Sequence, residues 1–390
     1  MSEINSEQFS LLRISGFLSQ LDDAARIPDM GFLSAAKLSL LCMSAGLFIS
    51  LVRPAQAEPS DICKLGSDAF RQRDLPKAEA LLKQCISTKP PQIHPYLDLC
   101  ALYQMQGNTK ALYDIASQGL QRFPEERRFY LTVGNQAGQE KHYERAIEIF
   151  AEGFRRWPDD LRFREGLASA HLLLGMQFLD QAENKEAELH LRQASKLEDK
   201  DIDAHLNLGR ALQNLNQSVE ALAEFDRVLA LGPQTPLARF HRGFVLYTLH
   251  EYDAAIADLS QEVKVNPAYP PSFLFRGEAF MAKGDWANAI ADLDIAVIKM
   301  PESPKAIYAK ARCLNQLGRL KEAEMAFRKT LELDSASPDA LNGLARLLSS
   351  TGREREAEAL FQKALELNRK ARSAGPAEIR FESAQSKKIQ

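Results

Sequence analysis

The chain has 390 residues, of which 45% are hydrophobic and 26% charged, with a formal net charge of -3 and a pI near 6.2. That length supplies ample core for several domains, and the apolar content is that of an ordered soluble protein. The near balance of charge removes any global electrostatic case for nucleic acid or an anionic membrane as partner.

The first recognisable element is a targeting segment. Residues 38–52, LSLLCMSAGLFISLV, form an uncharged apolar run preceded by Lys37 and followed by Ala55-Gln56-Ala57, an A-x-A cleavage pattern. This is the pattern of a secretory signal peptide, so cleavage after Ala57 is expected, leaving Glu58 as the mature N-terminus of a periplasmic or extracellular protein. Retention as an N-terminal anchor is the alternative, although a spanning helix needs about 20 apolar residues. Residues 1–29 carry Glu3, Glu7, Asp22, Asp23 and Asp29 against Arg13 and Arg26, the wrong sign for the start of a signal. Translation from Met30 is therefore expected, making 30–57 the signal peptide and 1–29 either no part of the protein or a cytoplasmic extension.

Four cysteines follow the signal: Cys63, Cys85, Cys100 and Cys313. Cys63 and Cys85 are equidistant from residue 74, where RDLP should turn the chain between two antiparallel helices, so they share an axial level. A Cys63–Cys85 disulfide is feasible, as is Cys85–Cys100. Small buried thiols filling helix contacts are the other reading.

From residue 59 onward the chain repeats. Blocks begin near 59, 93, 127, 161, 202, 236, 270, 304 and 338, and all but the fourth have 34 residues. The eighth place is always small: Gly66, Cys100, Gly134, Ala168, Gly209, Gly243, Gly277, Ala311 and Ala345. The twentieth holds Ala78, Leu112, Ala146, Ala187, Ala221, Ala255, Ala289, Ala323 and Ala357, the fourth block being counted from its end. Small residues at these two places let two helical backbones approach, and a bulky residue four positions on (Phe150, Phe225, Leu259, Leu293, Phe327, Phe361) fills the groove one turn away. Pro90, Pro124, Pro158, Pro233, Pro267 and Pro301 stop the second helix, because proline lacks the N–H that a continuing helix needs. Each block is thus a helix-turn-helix that buries its apolar face only by stacking on neighbours.

This pattern, complete in NLGRALQNLNQSVEALAEFDRVLALGP (207–233), resembles that of tetratricopeptide repeat proteins, over residues 59–371. The resemblance implies an all-α, right-handed superhelical solenoid of about nine helix-turn-helix repeats across 58–371. Two departures stand out. The fourth block has seven extra residues between HLLLG (171–175) and Ala187, which should lengthen both helices of its hairpin by about two turns without rotating their faces. Leu112 replaces the expected Ala and predicts a looser second hairpin. Residues 372–390 lose the pattern and are expected to be disordered.

No catalytic motif is legible in the chain. The seven histidines are scattered without an HExxH or other metal-ligand spacing, and the glycines occupy helix-packing places rather than a phosphate loop. No enzymatic activity, cofactor, metal or small-molecule substrate is expected.

In similar solenoids the second, fifth, ninth, twelfth and thirteenth places of each first helix line a concave groove. Carried over, these places give Leu206, Leu237, Phe240, Phe244, Tyr247, Leu274, Met281 and Tyr308. Phe240, Phe244 and Tyr247 form one helical stripe; facing the groove it is an exposed apolar patch of the kind that marks a partner site, and turned slightly it is core. Arg312 and Arg346, at the ninth place of adjacent repeats near Lys305, with Arg210 further back, are suited to a carboxylate or acidic peptide. The Lys and Asn arrangement by which some family members hold acidic chaperone tails is absent. The expectation is a scaffold that binds a segment of a partner protein in its groove and self-associates, if at all, through its end repeats. The alternative is an accessory protein of envelope assembly or polysaccharide export that recruits a membrane enzyme or its glycan.

Overall fold

A computed structural model describes residues 59–87 and 92–373, with side chains over 62–87 and 92–370. Every described residue belongs to one compact unit, within 57–390. The expectations for the signal segment, for Pro90 and for residues 374–390 fall outside the described residues.

Eighteen helices and no strand are found among the described residues. They pair in sequence order: α1 (Pro59–Arg71) with α2 (Leu75–Ile86), α3 (Ile93–Gln106) with α4 (Thr109–Arg122), α5 (Arg127–Gln139) with α6 (Tyr143–Arg156), and α7 (Leu161–Asp180) with α8 (Asn184–Leu197). The remaining pairs are α9 (Ile202–Asn214) with α10 (Ser218–Leu231), α11 (Ala238–Thr248) with α12 (Tyr252–Val265), α13 (Pro270–Ala282) with α14 (Trp286–Lys299), α15 (Pro304–Gln316) with α16 (Leu320–Leu333), and α17 (Pro338–Ser350) with α18 (Glu354–Ser373). Each hairpin stacks on the next, giving an all-α solenoid of nine helix-turn-helix repeats.

The small places do what their sterics require. All eight alanines at the twentieth place are buried to 1% exposure or less. A methyl group on the eighth-place glycines would meet the bulky residue of the partner helix: 2.7 Å from Phe150 at Gly134, 2.6 Å from Phe225 at Gly209, and 2.9 Å from Leu259 at Gly243. Five second helices end two residues before a proline, at Arg122, Arg156, Leu231, Val265 and Lys299. At the twentieth place of the second repeat Leu112 is still 9% exposed, and α3 and α4 pack less extensively than any other hairpin pair.

Three details differ from expectation. The extra residues of the fourth repeat enter at the start of its first helix: α7 has 20 residues, whereas α8 keeps the usual 14. Gly175, not Ala168, occupies the eighth place, since its added methyl would lie 2.5 Å from Leu191. Seven residues are nearly two turns, so Phe163 and Ala170 fall on the same buried face of one long helix. The last helix runs to Ser373, past the boundary expected at 371. Finally, α11 starts late: Leu237 is left-handed (φ 65°) and gives no side-chain cap, so the Glu262 carboxylate reaches from α12 and accepts the Leu237 N–H at 3.2 Å.

Candidate functional site

The first helices α11, α13, α15 and α17 line a recess of about 460 Å³. Its walls include Tyr247 and Met281, at the twelfth place of their repeats, and Glu278, Arg312 and Arg346, all at the ninth. Tyr308 and Asn342 contribute from the fifth place, Asn315 from the twelfth, and Trp286 closes one side.

The aromatic stripe sits differently from the open patch expected. Phe240 and Phe244 are only 6% and 8% exposed, because Phe275 of α13 inserts against them: the Phe244 and Phe275 rings meet edge-to-face at 4.6 Å, and Tyr269 meets Phe240 at 4.8 Å. Leu274 and Met281 are likewise buried, at 4% and 6%, although Met281 still borders the recess. Leu206 and Leu237 are half-buried against the same cluster. These residues form the packed floor between neighbouring repeats. The side chains open to the recess are Tyr247 and Tyr308, half-buried, and Arg312 and Arg346, exposed.

The electrostatics of the recess centre on Glu278, which sequence reasoning passed over although it holds the ninth place between Phe244 and Arg312. Burial raises its pKa, opposed by the nearby Lys305 and Arg312 charges and, least, by the Tyr247 hydroxyl. Burial, reinforced by Glu278, pushes Tyr247 up to about 12, so its hydroxyl stays protonated. Tyr308 is also raised by burial, with Arg312 acting against it. Lys305 stands over the Phe275 ring at 4.2 Å, and the Arg312 guanidinium lies 5.8 Å from the Tyr308 ring. Neither Arg312 nor Arg346 forms an ion pair among the described residues. Arg210 lies apart from this recess and bonds Asn207 at 2.7 Å. Asn315 and Asn342 were also overlooked, although they hold places already used to nominate Met281 and Tyr308.

Elsewhere, Cys63 and Cys85 are joined in a disulfide with Cα atoms 5.0 Å apart, tying α1 to α2. Cys100 is a buried free thiol that burial pushes up to about 12, and Cys313 is buried and free as well. No group of three or more metal-ligating side chains occurs among the described residues.

Models of the tetratricopeptide repeat match residues 172–236, 206–273, 243–307 and 303–370, together just over half of the chain. No curated protein matches the sequence. Among solved structures, the chain is similar to a tetratricopeptide repeat protein of Parabacteroides merdae, at 16% identity over 62% of this chain and 93% of that one, with a TM-score of 0.46. It is similar to PilF of Pseudomonas aeruginosa at 18% identity, covering 55% and 94%, with a TM-score of 0.45. A thermophilic repeat protein of Thermus thermophilus is 26% identical, covering 44% and 98%, with a TM-score of 0.38.

Proposed function

The chain belongs to the tetratricopeptide repeat family, and we propose that it is a non-enzymatic scaffold that holds a segment of a partner protein in the recess lined by α11, α13, α15 and α17. One observation carries this reading: Arg312 and Arg346 stand exposed on the recess wall and neither forms a close ion pair among the described residues, although the carboxylates of Glu278 and Asp339 border the same recess. A guanidinium fork left open beside aromatic rings is suited to a bound carboxylate and its apolar neighbours. The buried cluster of Phe240, Phe244 and Phe275 packs α11 against α13, which favours a preformed site at that end of the recess.

The proposal places the protein outside the cytoplasm. The Cys63–Cys85 disulfide supports an oxidising compartment, and the signal pattern ending at Ala57 points the same way. A mature N-terminus at Glu58 in the envelope fraction is expected; intact Met1 or Met30 in the cytosol would overturn the export claim. The rings of Tyr247, Trp286 and Tyr308, interleaved with amide side chains, favour one second reading, a glycan in the same recess during envelope assembly or polysaccharide export. Affinity capture from envelope extract with wild type and Arg312→Glu tests the site, and competition by peptide against soluble glycan separates the two readings. Capture of the same protein by both forms would reject the recess as the site.

A further inference from the structure

The α7–α8 hairpin holds a pair of side chains that neither the packing of the solenoid nor the recess calls for. His171 of α7 and His190 of α8 face each other with their Nδ1 atoms 3.0 Å apart, and their rings are tilted by 31° with centroids 5.2 Å apart. They lie 19 residues apart in sequence, on opposite sides of a hairpin turn, so no metal-ligand spacing shows along the chain. The place of His190 carries a carboxylate in the next three repeats, and each is paired: Glu224 with His205, Asp258 with Arg242 and Asp292 with Arg276. In the fourth repeat two imidazoles stand where those hairpins place an ion pair.

Imidazoles that meet nitrogen to nitrogen have two options. One N–H donates to the other nitrogen, or both lone pairs point at a shared cation. The second option needs both rings neutral, and burial secures this by lowering His171 to about 4 and His190 as well. The distance also fits. With metal–nitrogen bonds of about 2.05 Å, nitrogens 3.0 Å apart subtend about 94° at the metal. That matches adjacent corners of a tetragonal Cu2+ or Ni2+ site and falls short of the tetrahedral angle of about 109° that Zn2+ prefers. Both rings are half-buried, so solvent reaches the pair, and Phe178 stacks on His190 at 5.6 Å to fix its plane. Glu144 of α6 is exposed and makes no hydrogen bond or ion pair among the described residues, yet stands near enough for its charge to act on His190.

We propose that His171 and His190 form a binding site for one divalent tetragonal cation, Cu2+ ahead of Ni2+, with both Nδ1 atoms as ligands, water at the remaining corners and Glu144 as the balancing carboxylate. Binding shifts one proton from Nδ1 to Nε2 of the same ring and releases none. The ion ties α7 to α8 and, through Glu144, to the preceding repeat. None of these helices lines the recess, so the site stands or falls independently of the groove reading.

The test titrates CuCl2 into the full-length protein without an affinity tag, against a chelating competitor, and records the electron paramagnetic resonance spectrum at one equivalent. Wild type should bind one ion tightly and show splitting from two imidazole nitrogens. His171→Leu and His190→Gln, each checked for native helicity by circular dichroism, should weaken binding at least about tenfold, as much as the loss of an outer-shell partner costs at other metal sites. Both should lose the two-nitrogen pattern. Glu144→Gln should weaken binding severalfold and keep the pattern, and His250→Gln, which removes an exposed histidine of another hairpin, should change neither. No tight site in wild type, a wild-type spectrum without two nitrogens, an unchanged affinity in His171→Leu or Glu144→Gln, or loss of the site in His250→Gln would each overturn the proposal.

Discussion

Gly209 shows how little room the packing leaves, since a methyl group added there would lie 2.6 Å from the Phe225 ring. Gly209→Ala should therefore lower stability by about 1–3 kcal/mol in urea titration, as overpacked cores do; an unchanged midpoint would mean that the two helices separate freely. Such places were legible in the sequence because contact between backbones admits only Gly, Ala or a similarly small residue. The fifteenth place was not. It is left-handed in every hairpin turn, yet it holds Arg73, Lys141, Ala182, Asn216 and His250 as well as four glycines, so residue type gives no steady signal. Ala182, exposed with φ 60°, should gain up to about 1 kcal/mol on replacement by Gly, measured as a rise in the unfolding midpoint. Asp292 illustrates a third kind of residue. It takes both arms of Arg276 at 2.7 Å, with side chains 6% and 17% exposed, so Asp292→Ala leaves a part-buried guanidinium with only Ser260 and should destabilise by about 2–3 kcal/mol.

Homologous places in neighbouring hairpins can give elements opposite responses to pH. In the α7–α8 hairpin the Nδ1 atoms of His171 and His190 lie 3.0 Å apart, and burial lowers both pKa values, that of His171 to about 4. In the α9–α10 hairpin the equivalent pair is His205 with Glu224 at 2.6 Å, and the carboxylate raises the histidine. The signs follow from linkage. As pH falls below the ordinary value of 6.5, the unfolded chain protonates His171 before the folded chain does, so stability declines between 6.5 and about 4. The His205 contribution is complete below 6.5 and is lost as pH rises through its raised folded value. Stability measured at pH 7 and pH 5 should thus fall less on acidification in His171→Leu than in wild type; an equal fall would remove the histidine pair as a cause. The first hairpin is tied covalently across a sequence separation of 22, and reducing Cys63–Cys85 should cost about 3 kcal/mol by the chain-entropy account. The sequence exposed the level shared by these two cysteines and left their azimuth open. It gave no sign that Glu262 caps α11, because that contact joins residues 25 apart through a helix start that proline and a left-handed Leu237 had altered.

For the molecule as a whole, the 34-residue period made the number, order and spacing of the repeats legible, while the site was legible only in part. Of the places expected to line the groove, those of Tyr247, Tyr308, Arg312 and Arg346 border the recess. The same expectation also nominated Phe240 and Phe244, whose exposure depends on what the next repeat inserts against them, and Phe275 of α13 covers both. A helical stripe marks a face of a helix, and only its neighbour decides whether that face is groove or core. The central claim, that a partner occupies the recess between the sixth and ninth repeats, is tested most directly by a photocrosslinker placed singly at Gln316, exposed on the recess wall, and at Val219, 79% exposed on α10. In native envelope extract the account predicts one discrete protein adduct from 316, absent from 219 and lost when Arg312→Glu is added. Equal adducts from both positions, or none from 316, would contradict it.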